Sequence, residues 1–175
     1  AVVNPNQQGC AFASKALAGV GVAFYVLAAL ATLRKSQGKP TAKLTDWLDL
    51  VALGTVADVA PLDANNRILV SQGLARIKSG QCRLGLLALL EIAKRERKGL
   101  TSQDLGFVLG PRINAAGRMD SMRIGIECLL AEDVATAREL AEQLEILNQT
   151  RRSIEAGMKS EALALLEDRR LFEEV

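Results

Sequence analysis

Two stretches of the chain hold residue types that can do chemistry. The first is Val56-Ala57-Asp58-Val59-Ala60-Pro61. A carboxylate among apolar neighbours is unfavourable unless it is paired, hydrogen-bonded or bound to a cation. Pro61 ends any helix there, which sets Asp58 at a helix end facing a cleft. Two roles stay open for it: a cap or ion-pair partner, or a metal ligand. One carboxylate does not make a Mg²⁺ or Mn²⁺ site, because such cations want several oxygens. The second stretch is Gly110-Pro111-Arg112-Ile113-Asn114-Ala115-Ala116-Gly117-Arg118-Met119-Asp120. Its Gly and Pro predict an irregular backbone, and its Ala pair permits close approach. Arg112, Asn114 and Arg118 are then expected to converge on an anion, since the arginine fork binds two phosphate oxygens at once. The alternative is arginine bonded to helix-end carbonyls or to Asp120.

Other chemistries are excluded or weakened. The 175 residues include no histidine, which rules out a Ser-His-Asp triad, a Cys-His pair or an HExxH zinc motif supplied by this chain. Gly19-Val20-Gly21 suggests a dinucleotide loop, but position 24 is Phe24 where a third glycine is required. No Walker lysine motif is present. Cys10, Cys82 and Cys128 are widely spaced and odd in number, so neither a zinc ribbon nor a disulfide framework is indicated, and reduced thiols in a cytoplasmic setting are expected. Aromatic residues are 3% of the chain, too few for an evident base-stacking platform. With a net charge of +2, any nucleic-acid footprint must be local. The basic runs Lys94–Lys98, Arg151-Arg152 and Arg169-Arg170 read as solvated helix surface.

The elements that would position these residues are mainly helical. Ala1-Val2-Val3 reads as a short edge strand running into Asn4-Pro5-Asn6. Ser14 is placed to cap a long apolar helix. Helices are then expected from Thr45 to about Val56, from about Asn65 to Lys78 with a stop at Ser79-Gly80, and from about Gly85 to Arg97. Thr101-x-x-Asp104 resembles a capping box for a helix starting near Ser102, interrupted by Gly110-Pro111. A short helix follows from about Ile124 to Ala131. Asp133 caps a final helix of up to roughly 36 residues, about 54 Å long. Leucines recur along that helix at 3–4 spacing, but Arg151 and Glu161 interrupt the seam, so a long arm fits better than a coiled coil.

Residues 16–33 form an uncharged run of 18. That sits at the lower edge of a membrane span. Six are alanine and two glycine, no second such run follows, and no basic n-region precedes it. A buried core helix is the expected reading, with no membrane.

Taken together, VVNPNQ (2–7), SKALAGVGVAFYVLAAL (14–30), LDLVALGTVADVAPLDANNRIL (48–69), LGFVLGPRINAAGRMD (105–120) and LNQTRRSIE (147–155) resemble the RecJ family of the DHH phosphoesterase superfamily. The pairing of GTVADVAPL with GPRINAAGR is the specific part. The resemblance implies a single-stranded-DNA-specific 5′→3′ exonuclease in recombination and repair, using Mn²⁺ or Mg²⁺. Asp58 matches a metal-ligating aspartate, and so a catalytic residue. Arg112 and Asn114 match an element on substrate phosphate, with Arg112 stabilising the transition state; Arg118 is a further DNA contact. The family's D-x-D and Asp-His-His elements are missing. The chain is therefore expected to be an interior fragment, inactive alone and weak or inert toward metal. Residues 1–132 would be the helical second part of an α/β DHH domain. Residues 133–175 would be the connector toward a DHHA1-type domain. The fragment is expected to look mainly α and to self-associate through apolar surface. A single-stranded-DNA-binding protein is the implied partner. The rival readings are a non-catalytic helical interaction module and a DHH-superfamily phosphodiesterase or pyrophosphatase acting on small phosphate esters.

Overall fold

The computed structural model describes residues 2–119 and 121–173, so Asp120, a possible partner for the arginines, lies outside the described residues, as do residues 1, 174 and 175. The described residues form helices and no strand. Val2 and Val3, expected as an edge strand, are exposed and pair with nothing in a ladder. A lone strand cannot satisfy its backbone without a neighbour.

The helices are α1 (Gly19–Ser36), α2 (Leu48–Ala57), α3 (Ala64–Ser79), α4 (Leu84–Ile92), the single turn α5 (Ser102–Asp104), α6 (Gly110–Met119), α7 (Arg123–Leu130) and α8 (Val134–Glu173). Capping chemistry fixes the starts of α3, α5 and α8. Asp63 accepts the Asn66 N–H at 2.8 Å to open α3, and Asp133 accepts the Thr136 N–H at 2.8 Å to open α8. Asp104 accepts both the N–H and the hydroxyl of Thr101, at 2.8 and 3.0 Å, which secures α5. Ser14 does not cap α1. Its hydroxyl donates to Asp63 at 2.6 Å, bracing the loop before α1 against the start of α3. These hydrogen bonds, first among them the Asn66 N–H, hold the Asp63 carboxyl below its usual pKa. A depressed carboxyl stabilises the fold above its unfolded pKa, and that contribution is lost as pH falls through the folded value.

The core lies between α2, α4, α6, α7 and the first half of α8, with Leu86, Leu89, Leu90, Leu105, Leu109, Ala137, Ala141 and Leu144 buried. Two glycines set how closely its helices approach. A Cβ on Gly73 would lie 2.1 Å from the Leu48 carbonyl oxygen, and one on Gly85 would lie 2.0 Å from that of Cys128. Burial pushes the Cys82 and Cys128 thiols up to about 11, so neither is a thiolate near neutral pH. Helix α4 stops at Ile92, short of the expected Arg97, because Lys94 turns the chain into the left-handed region at φ 53°. Lys94, Arg95, Arg97 and Lys98 are solvent-exposed.

Helix α1 departs furthest from the expected buried core helix. Only Gly21 is buried, while Val26, Leu27, Leu30 and Leu33 are exposed. It is long and apolar enough to cross a membrane by length and composition. One edge is nonetheless tied into the protein: Val20 seats over Gly54 of α2, and the Tyr25 hydroxyl donates to Asn65 of α3. The opposite stripe is uncovered apolar surface, which favours association. The purified chain is accordingly expected to sediment as oligomers whose size grows with concentration. A monodisperse monomer across micromolar concentrations would contradict this.

Helix α8 spans 40 residues, about 60 Å at 1.5 Å per residue. Its first half packs on α4, α6 and α7, whereas residues 152–166 are exposed along their whole length. It is an arm, as the broken leucine seam predicts.

Candidate phosphate and metal site

Asp58 is the C-cap of α2, and its N–H donates to the Gly54 carbonyl at 3.0 Å. The carboxylate is solvent-exposed rather than enclosed by its apolar neighbours. Val56 and Ala57 turn inward, and Val59 turns out to 86% exposure at φ 55°. A β-branched residue in the left-handed region is strained by about 1–2 kcal/mol, and such strain tends to gather at functional sites. It turns the chain sharply, so Asp58 stands at the tip of α2.

The second stretch does not form the expected irregular loop. Residues Leu105–Leu109 make a π-helical turn that runs directly into α6. This explains how Pro111 is tolerated. A proline inside an α-helix collides with the carbonyl four residues back, and the wider π turn moves that carbonyl away. Gly106 and Gly110 then admit α2: a Cβ on Gly106 would lie 3.2 Å from Val56, and one on Gly110 would lie 3.2 Å from Ala57. The end of α2 is thereby seated against the π turn and the start of α6 through Val56 and Ala57, the two residues before Asp58.

Helical geometry also revises the convergence of the three polar residues. Gly110, Asn114 and Arg118 follow at intervals of four and share a face, while Arg112 points to nearly the opposite side. Asn114 is half-buried and Arg118 exposed, on the side of α6 that Gly110 shares. Arg112 instead faces α8. Its Nε lies 2.6 Å from Glu145 Oε2 and its Nη1 donates to the Val108 carbonyl at 2.7 Å. The 2.6 Å contact lies off the N–H direction, so it is an ion pair without an aligned hydrogen bond. The carbonyl alternative is thus observed: the Val108 carbonyl holds part of the Arg112 guanidinium.

Sequence reasoning missed Glu145, Asn148 and Arg151. Arg151 Nη2 is 3.4 Å from Asn148 Oδ1, and its guanidinium pairs with Glu155. Asn148 is fully buried, and its amide nitrogen has no hydrogen-bond partner among the described residues. The available signal was Arg151, which interrupts the α8 leucine seam one turn beyond Leu147. No group of three or more His, Cys, Asp or Glu side chains gathers among the described residues. The residues present thus do not by themselves fit a hard divalent cation, and Asp58 offers one carboxylate.

No family model matches the chain. Individual proteins do. It is 60% identical over 173 residues to the single-stranded-DNA-specific exonuclease RecJ of Dickeya dadantii, covering 95% of this chain and 30% of that protein. It is 56% identical over 173 residues to RecJ of Escherichia coli, again covering 95% of this chain and 30% of that protein. A solved structure of exonuclease RecJ bound to manganese superposes with a TM-score of 0.73 at 36% identity, covering 86% of this chain and 37% of that one. The chain belongs to the RecJ family. The resemblance carried by GTVADVAPL and GPRINAAGR is thereby borne out. RecJ of Thermus thermophilus in complex with Mg²⁺ gives a TM-score of 0.71 at 36% identity over 85% of this chain and 22% of that one. The chain spans about 30% of the length of the curated RecJ relatives cited here. The mainly helical character agrees with a segment of the larger RecJ fold.

Proposed function

We propose that this segment serves a metal-dependent, single-stranded-DNA-specific 5′→3′ exonuclease that hydrolyses phosphodiester bonds in DNA recombination and repair, in the cytoplasm. The observation that carries the reading is the packing of the end of α2, Val56 and Ala57 just before Asp58, into the Gly106–Gly110 notch that opens α6, in a chain this similar to named exonucleases. Asp58 is proposed as one carboxylate ligand of Mn²⁺ or Mg²⁺, the ions held by solved RecJ structures. Asn114 and Arg118 approach a DNA phosphate from the Gly110 side of α6, and Arg112 approaches the strand from the α8 side. Cationic forks placed before the reaction lower the energy of the charge that builds on the phosphate, without reorganising at that moment. Residues 1–132 are assigned to the C-terminal part of a DHH phosphoesterase domain and residues 133–175 to a connector toward a DHHA1-type domain. A single-stranded-DNA-binding protein is the proposed accessory partner.

The reading has a direct test. The full-length RecJ-family protein carrying this segment is expected to release mononucleotides from a single-stranded oligonucleotide with Mn²⁺, and not to turn over pyrophosphate or cyclic dinucleotides. The purified 175-residue chain is expected to release nothing measurable from the same oligonucleotide. Preferred turnover of the small esters by the full-length protein would replace the exonuclease reading with a small-substrate phosphodiesterase. Mn²⁺-dependent release by the chain alone would show that Asp58 is not one ligand among several.

A further inference from the structure

We propose that Glu145 on α8 is a positioning residue: it fixes the Arg112 guanidinium for a substrate phosphate and so ties that contact to the long helix. The inference rests on the reading of Arg112 as a phosphate ligand. Arg112 has five N–H donors. Glu145 takes the Nε side at 2.6 Å and the Val108 carbonyl takes one Nη1 donor at 2.7 Å, which leaves the remaining donors on the outer end of the fork. The Arg112 side chain is 10% exposed and that of Glu145 is 19% exposed, so neither swings freely. Glu145 adjoins buried Leu144 and lies one turn from buried Ala141 and Asn148, in the half of α8 packed against α6.

Stability alone does not account for the pair. A buried ion pair is often no better than apolar residues of the same volume, and apart from Asn148 the buried residues of this α8 face are Ala137, Ala141 and Leu144. An acid beside a phosphate-binding arginine has two effects of opposite sign. Its charge repels an anion, and its ion pair at Nε, together with the Val108 carbonyl on Nη1, confines the guanidinium to one position. An arginine held in advance loses less conformational freedom when the phosphate arrives. The inference is that orientation outweighs repulsion, which gives a test by sign.

Binding of a fluorescent single-stranded oligonucleotide to the full-length protein, with divalent cations chelated, is measured against salt concentration. Arg112→Ala should weaken binding and lower the log–log salt slope by about 0.7, the value for one phosphate contact on a single strand. Glu145→Ala should weaken binding about tenfold with the same loss of slope. Glu145→Asp should recover most of the affinity, with Glu145→Gln between the two. Each variant is first checked for a cooperative melt. If Glu145→Ala fails to fold, the Gln and Asp variants carry the comparison through the same two readouts. Unchanged or tighter binding in the glutamate variants, while Arg112→Ala loses affinity, overturns the positioning role and leaves Glu145 a mere counter-charge. If Arg112→Ala itself changes neither affinity nor slope, the phosphate reading of Arg112 fails, and the inference with it.

Discussion

Asp58→Asn in the full-length protein should lower hydrolysis of single-stranded DNA by at least about 10³-fold, the scale expected when a ligand of a catalytic cation loses its charge. The fold should survive. Asp58 is an exposed C-cap residue, and its backbone donor to Gly54 is unaffected by the side chain. Exposed substitutions of this kind stay within about 0.5 kcal/mol. Asparagine also tolerates the geometry of a helix end, so the near-isosteric swap isolates the charge. The measurement is steady-state release of nucleotides at several Mn²⁺ concentrations, alongside a thermal melt. Activity within a few-fold of wild type would reduce Asp58 to a cap and remove the metal-ligand reading. A drop in melting temperature matching the drop in rate would show that the residue supports the fold, not the chemistry.

How much of this was legible in the sequence depended on which interactions are local. The helices α5 and α8 begin where Thr101 with Asp104, and Asp133, say they should, because caps act within one turn, whereas the Asp63 cap of α3 emerged only from the structure. Asp58 could be singled out because an acid between valines and alanines is uncommon, although its exposure could not be read that way. The stretch at 110–118 misled for a physical reason. Gly110-Pro111 is strong punctuation in isolation, and only the π turn ahead of it lets the helix continue. That turn packs against α2 through Gly106 and Gly110, a contact between residues about 50 positions apart. The same limit hid Glu145. Its importance lies in the partner it meets on α6, and no local rule marks it. Ser14 illustrates the competition: a residue well suited to cap α1 is instead hydrogen-bonded 49 positions away, to Asp63.

Arg112→Lys is the second substitution with a large expected effect. Lysine keeps the charge but presents a compact ammonium in place of a planar fork. It cannot meet Glu145, the Val108 carbonyl and a phosphate with the spread of donors that Arg112 offers. A fall of about 10²-fold in kcat/KM on single-stranded DNA is expected, about 2.7 kcal/mol of lost transition-state stabilisation. Lysine is a better probe than alanine, because alanine strands the half-buried Glu145 carboxylate and mixes loss of stability with loss of function. The division between kcat and KM is informative. A fall mainly in kcat places the guanidinium on the reacting phosphate, where its contact strengthens as charge builds up. A rise confined to KM places it on a neighbouring phosphate of the strand, which the orientation of Arg112 away from the Gly110–Asn114–Arg118 face favours. Full activity in the lysine variant would mean that charge without geometry suffices, and the fork would have no part in the site.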